Sequence, residues 1–233
     1  VCNLVKLFDL DSKGQLAILP PYANSPGAEL LGATGIPRFL GGPGLLQVVE
    51  HFGDVAAEAG PGPRGSRGEE LETARGGLLR AGLGYRRCDV SACLNVASDH
   101  LGLKGIDTLE QLAELKRIPI EVARDTAVLN ADDELCLRMA DYTEAESVCY
   151  VTMNPDHELV KQHVKADGRA VVLEKAFNGD MITIYDKGNH IPLVWTHLIP
   201  ATMEGRAMHN VQNAMFAAGL GFSLGVSLEN IRQ

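Results

Sequence analysis

The sequence has no apolar stretch approaching the roughly 20 residues that a membrane-spanning helix requires, and Val1-Cys2-Asn3-Leu4 lacks the basic-then-apolar layout of a secretory leader. A cytoplasmic protein is the reading that follows. Basic residues are also in deficit: 21 Lys and Arg face 30 Asp and Glu, for a formal charge of −9. Nonspecific binding to a phosphate backbone needs a basic surface, which argues against nucleic acid as a partner. No CxxC pair occurs among Cys2, Cys88, Cys93, Cys136 and Cys149, and an odd number leaves one over. That pattern suits neither a disulfide framework nor a zinc site, so buried thiols in a reducing compartment are expected. Cys88 and Cys93, five apart on a strand-like run, should face opposite sides of a sheet. Finally, no lysine follows a glycine, so the phosphate-loop pattern GxxxxGK[ST] is missing.

What is present is a soluble, globular composition, 45% hydrophobic and 22% charged, on a chain of 233 residues that can bury a sizeable core. Its texture is uneven. The first 69 residues hold 12 of the 25 glycines and 7 of the 11 prolines, which interrupt every apolar period. Residues 1–69 therefore read as a Gly/Pro-rich segment, irregular and poorly ordered or foreign, with one helix near 44–59. Residues 70–233 read as a separate α/β domain. Strands are expected over Cys88–Asn95, Thr126–Asn130 and Ser147–Thr152. Helices are expected after the cap at Asp107-Thr108, over 133–141 behind Asp132, and from Asn154-Pro155 to Ala166. Pro119 should end or kink the first of these. The alternating order implies parallel strands with helical crossovers. Asn178-Gly179-Asp180 and Lys187-Gly188-Asn189 then signal hairpins between Val171–Leu173, Met181–Tyr185 and Ile191–Leu198, a small antiparallel extension. A helix over 206–224 should bury Met208, Val211, Met215 and Phe222, and Ser227 should cap another.

Three clusters have chemical potential. Leu71-Glu72-Thr73-Ala74-Arg75-Gly76-Gly77 sets a carboxylate and an Arg beside glycines, where backbone can approach a ligand. Asn95 through Leu101 lies beyond the carboxyl end of a strand, where open α/β sheets bind ligands, although a loop capping the next helix has the same appearance. His209 and Asn213, four apart, share a face of the 206–224 helix and need partners, either a ligand or a neighbouring loop. Gly221-Phe222-Ser223-Leu224-Gly225 fits the GxSxG nucleophile pattern but sits near the end of a helix rather than between strand and helix, which argues against catalysis. His157, His163, His190 and His197 do not converge and read as structural or solvated.

Taken in order, Leu71 through Gly84, Asn95 through Leu103, Ile106 through Ala113, Val128 through Asp133, Trp195 through Ala201 and His209 through Ala214 resemble the Mur ligase superfamily, and within it the ligase portion of the cyanophycin-building enzymes. The resemblance implies a Mur ligase central-domain-like fold, a mostly parallel sheet flanked by helices. It also implies an ATP-dependent ligase that activates aspartate side-chain carboxylates of a poly-aspartate chain as acyl phosphates and joins L-arginine to them, with ATP and Mg2+ as cofactors. By position, Glu72 and His100 would be magnesium-site residues, with His100 also catalytic. Asn213 would reach the adenine, and His209 and Asn210 would shape that pocket. Lys116 occupies the place of a lysine carbamylated in several Mur ligases, though Pro119 beside it departs from the pattern. The family carries a phosphate loop before the Glu72 motif and a further domain after the His209 helix. On that comparison the chain reads as a fragment, inactive by itself. Another Mur-type ligase, acting on peptidoglycan precursors or folate, and an inactive folded remnant that binds no nucleotide are the alternatives. A homo-oligomer is left open.

Overall fold

The computed structural model describes the backbone of strand segments at 3–6, 9–10, 16–17 and 70–73, and complete residues at 78–79, 82–83, 85–98, 101–102 and 105–232. The helix expected near 44–59 and the His100 side chain lie outside the described residues.

Eight strands form one sheet. In chain order these are β1 (Asn3–Lys6), β4 (Glu70–Thr73), β5 (Cys88–Cys93), β6 (Ala123–Asn130), β7 (Ser147–Thr152), β8 (Arg169–Ala176), β9 (Gly179–Asp186) and β10 (Asn189–Trp195), while β2 (Asp9–Leu10) and β3 (Leu16–Ala17) pair separately. The spatial order is β10-β9-β8-β7-β6-β5-β1-β4. Strands β5 to β8 are parallel neighbours, joined by α1 (Leu109–Glu121), α2 (Glu134–Leu137) and α3 (Glu158–Lys165). β9 and β10 add antiparallel hairpins, and β1 runs antiparallel to both β5 and β4. α4 (Met208–Ser223) returns across the other face, followed by α5 (Leu228–Arg232).

Strands buried on both faces need apolar residues at every position, and the core divides accordingly. Val90, Ala92, Val128, Val151 and Val171 meet Met215, Phe216 and Leu220 of α4 on one side. Cys93, Ala127, Leu129, Tyr150 and Val172 meet Leu112, Ile120, Cys136 and Val160 on the other. Gly219 is where α4 comes closest to the sheet: a Cβ there would lie 3.2 Å from Val171 Cγ2 and 3.4 Å from Val128 Cγ1.

The expected α/β fold with an antiparallel extension is present, and several boundaries move for local reasons. At α1 the Thr108 side chain accepts from Gln111 N while Gln111 Oε1 accepts from Thr108 N, a reciprocal cap. The helix runs through Pro119 and ends two residues later at Glu121, with Pro119 and Ile120 buried. Asp133, not Asp132, caps α2, which lasts one turn before a 3-10 turn over Arg138–Asp141. α3 starts at Glu158 behind His157, since Asn154 Oδ1 accepts from Asp156 N and forms a turn instead. β10 stops at Trp195, where a 3-10 turn over Thr196–Leu198 begins.

The hairpin expected at Lys187-Gly188-Asn189 is present: Lys187 at φ 49° and Gly188 at φ 76° form the left-handed pair that a two-residue turn requires. Met208 is exposed rather than buried. The four described cysteines are free and buried, as expected. Cys88 and Cys93, however, do not face opposite layers. Cys88 donates to Pro119 O at the end of α1 and Cys93 meets Cys136 of α2, with a register shift between Cys88 and Val90 taking up the difference. Among the described residues no helix is long and apolar enough to cross a membrane.

Candidate functional site

Ligands of open parallel sheets bind beyond the strands' carboxyl ends, and here that edge gathers polar groups from six elements. Beyond β5, three consecutive backbone positions are pinned from three directions. Asn130 Nδ2, at the end of β6, donates to Leu94 O at 2.7 Å. Lys116 Nζ of α1 donates to Asn95 O at 2.9 Å. Val96 N donates to Asp133 Oδ2 at 2.7 Å, while Asp133 Oδ1 accepts from Leu135 N and Cys136 N at the start of α2. Next to it, Asp132 accepts from Thr152 Oγ1 at 2.5 Å and from Met153 N at 2.7 Å, fastening the end of β7 to that of β6. His157 Nδ1 accepts from Val160 N, so Nε2 holds the proton and donates to Ala131 O at 3.0 Å.

Lys116 is 4% exposed. Burying an ammonium requires partners, and a carbonyl is one of those it has. A carbamate there needs a nitrogen lone pair, and the N–H that a carbamate keeps could still donate to Asn95 O. The clamp leaves one group over: Asn95 Oδ1 is buried without a hydrogen-bond partner among the described residues. Such an orphan costs about 1–3 kcal/mol, which a ligand donor would recover.

α4 reaches the same edge. Its last turn is tied to the amino end of β8, where Arg169 Nη1 donates to Ser223 Oγ at 3.2 Å, so its first turn lies at the opposite end. That bond also gives Ser223 a structural role. Leading into the helix, Met203, Glu204 and Gly205 have φ of 51°, 61° and 82°, a strained turn held by Thr202 Oγ1, which accepts from Gly205 N. Of the residues singled out on α4, Asn210 Nδ2 donates to Ala201 O at 2.7 Å and so secures this turn. His209 is exposed and Asn213 half-buried, and neither side chain makes a hydrogen bond among the described residues. Glu72 stands in β4 opposite Leu4, which itself pairs with Ala92, so its backbone shares a row with the carboxyl end of β5. Lys116, Glu72 and the α4 residues are thus brought to one edge, while His100 lies outside the described residues.

At this edge Asn95 Oδ1 and the side chains of His209 and Asn213 make no hydrogen bond among the described residues. No cluster of three His, Cys, Asp or Glu forms a cation site among the described residues.

Residues 71–221 match the family model of the Mur ligase middle domain. The chain belongs to that family. It is 44% identical over 165 residues to cyanophycin synthetase of Synechocystis sp. and 46% identical over 170 residues to that of Trichormus variabilis, in each case across 70% of this chain and 18% of the relative. The chain therefore spans about a fifth of the length of these relatives. A UDP-N-acetylmuramoylalanine–D-glutamate ligase of Koribacter versatilis is 29% identical over 150 residues, 63% of this chain and 28% of that one. A crystal structure of MurF from Acinetobacter baumannii aligns with a TM-score of 0.37 at 19% identity, covering 62% of this chain and 28% of that one.

A second polar constellation escaped the sequence reading. On the antiparallel extension, Glu174 of β8 accepts from Thr183 Oγ1 at 2.7 Å, from Tyr185 OH, and from His190 Nε2 at 3.1 Å. Burial raises the Glu174 carboxyl, but these hydrogen bonds outweigh it and hold the group below its usual range. Burial and the same carboxylate push the Tyr185 phenol up. The only sequence signal was the two-residue spacing of Thr183 and Tyr185, which puts them on one strand face.

Proposed function

We propose that the chain forms the nucleotide-handling edge of an ATP-dependent amide ligase that joins L-arginine to aspartate side-chain carboxylates of a poly-aspartate backbone. The observation that carries this reading is the 44–46% identity to proteins named cyanophycin synthetase across 70% of the chain. Magnesium-ATP, when bound, would supply the phosphoryl group that turns a carboxylate into an acyl phosphate open to attack by an amine. In this reading residues 70–233 form an ATP-binding domain whose sheet is completed by the strand at Asn3–Lys6, working in the cytoplasm.

Asn213 and His209 would meet the adenine from the first turns of α4, and Asn210 would hold those turns in place through Ala201 O. The Lys116–Asn130–Asp133 clamp would fix the segment that precedes His100. Glu72 and His100 would face the metal, His100 also touching the reacting groups. Lys116 would act from its place on Asn95 O, beside that segment.

The test is calorimetric titration with ATP, with magnesium and with EDTA. Magnesium-dependent binding supports the reading, and absence of binding favours a folded remnant without a nucleotide site. The weaker likeness to the D-glutamate ligase favours a second reading, another Mur-type amino-acid ligase. Repeating the titration with saturating arginine or D-glutamate separates the two: arginine should tighten nucleotide binding and D-glutamate should not.

A further inference from the structure

The face of the extension that carries Glu174 is an open groove of about 660 Å³, lined by Pro155, Glu174, Met181, Pro192 and Trp195 among others. Register explains the gathering. Glu174 pairs with Met181, Met181 with Trp195, and Thr183 with both Val172 and Pro192, so these side chains share one face of three adjacent strands.

The groove offers an anion and apolar walls together. Glu174 is held by three donors, one of which, His190 Nε2, lies 3.1 Å from both carboxylate oxygens, so an incoming donor takes one of the two directions that His190 now spans. Its side chain is 27% exposed, enough to be reached and too little to be fully hydrated. The other charged residue on the lining, Lys175, is paired with Asp180 at 2.6 Å and does not cancel the carboxylate. Trp195 adds an indole surface at the end of β10, at the same sheet edge as the site above. A planar, weakly hydrated cation on an aliphatic stem satisfies all of these: it donates to a carboxylate, stacks on an aromatic ring and lays its stem on apolar walls. A compact ammonium matches only the charge.

We propose that this groove is a guanidinium subsite that takes an arginine side chain already attached to the polymer. The occupant rests on the ligase reading above, while the preference for guanidinium over ammonium rests on the groove alone. The subsite would retain the product chain beside the edge where the next residue is joined.

Trp195 is the only tryptophan, so its fluorescence reports on the groove without a label. Agmatine, the guanidinium analogue without a carboxylate, is titrated into the chain with no nucleotide or magnesium present. The expected result is a saturable change in emission, with n-butylamine at least 10-fold weaker and Glu174→Gln weakening agmatine at least 10-fold at unchanged far-UV dichroism. A dipeptide with arginine joined to an aspartate side chain should compete with agmatine, and failure to compete overturns the polymer as source. Equal responses to agmatine and butylamine, or none, overturn the subsite. If Glu174→Gln does not fold, the wild-type comparison of the two amines decides. Because ATP is left out, this experiment can fail while nucleotide binding succeeds, and the converse.

Discussion

Beyond β5, β6 and β7 the charged side chains point inward: Asp132, Asp133 and Lys116 are engaged with backbone and a hydroxyl of neighbouring elements. On β8 to β10 the comparable carboxylate, Glu174, is held from three sides and still lines a groove. The parallel half uses its polar groups to fix loop geometry at the edge that α4 also reaches. The antiparallel half uses them to fix a charge at a surface. Fixing a loop shows itself as stability, and fixing a charge shows itself as binding and as sensitivity to acid.

Alkali should break the comparison most strongly from about pH 8.5 to 10, because the described cysteines sit in the parallel half and none lies in β9 or β10, whose Tyr185 phenol ionises above the ordinary tyrosine range near 10. Burial pushes the Cys88 and Cys149 thiols up to about 12, whereas unfolded thiols ionise near 8.5. Their contribution is therefore complete below about pH 8.5 and is lost as pH climbs toward 12. Urea midpoints measured across that window should fall for the wild type and fall less steeply for Cys149→Ala. A parallel decline in both would contradict the assignment.

Replacing Asp133 by Ala removes the α2 cap and the anchor of Val96, and should destabilise by about 3 kcal/mol in urea denaturation. Lys116 and Asn130 would still hold Leu94 and Asn95, so the fold should survive. In the extension, Thr183→Val removes one of the Glu174 donors and should destabilise by about 1 kcal/mol. Acid sharpens this contrast. The Glu174 carboxyl titrates below its unfolded value, so its contribution is complete above about pH 4.3 and is lost as pH falls through the folded value. Melting curves of wild type and Glu174→Gln should converge below that pH. The smallest effect is expected at Glu204, whose φ of 61° strains a side chain: Glu204→Gly should stabilise by about 0.5–1 kcal/mol.

Much of the fold was legible because its signals are local. The apolar run at Ser147–Thr152 became β7 with unchanged bounds, and the glycine-containing turns placed both hairpins. Boundaries failed where two candidates stood side by side. Asp132 and Asp133 can both cap, and only the distance to Val96 selects Asp133. Asn154-Pro155 can open a helix or a turn, and the bond from Asp156 N to Asn154 Oδ1 selects the turn.

The site divides in the same way. His209 and Asn213 follow from helical spacing, but the bond from Lys116 to Asn95 spans 21 residues and depends on how α1 lies against β5. The Glu174 network depends on cross-strand register, which no single segment reveals. That is why His190, read as structural or solvated, was not connected with Glu174.

The most direct test of the nucleotide-handling edge is a titration of the chain with magnesium-ATP followed by side-chain amide resonances of its asparagines. The account predicts magnesium-dependent shifts at Asn95 and Asn213, with Asn130 unmoved because its amide is committed to Leu94 O. Saturation with no shift at Asn95 or Asn213, or no binding at all, would contradict it.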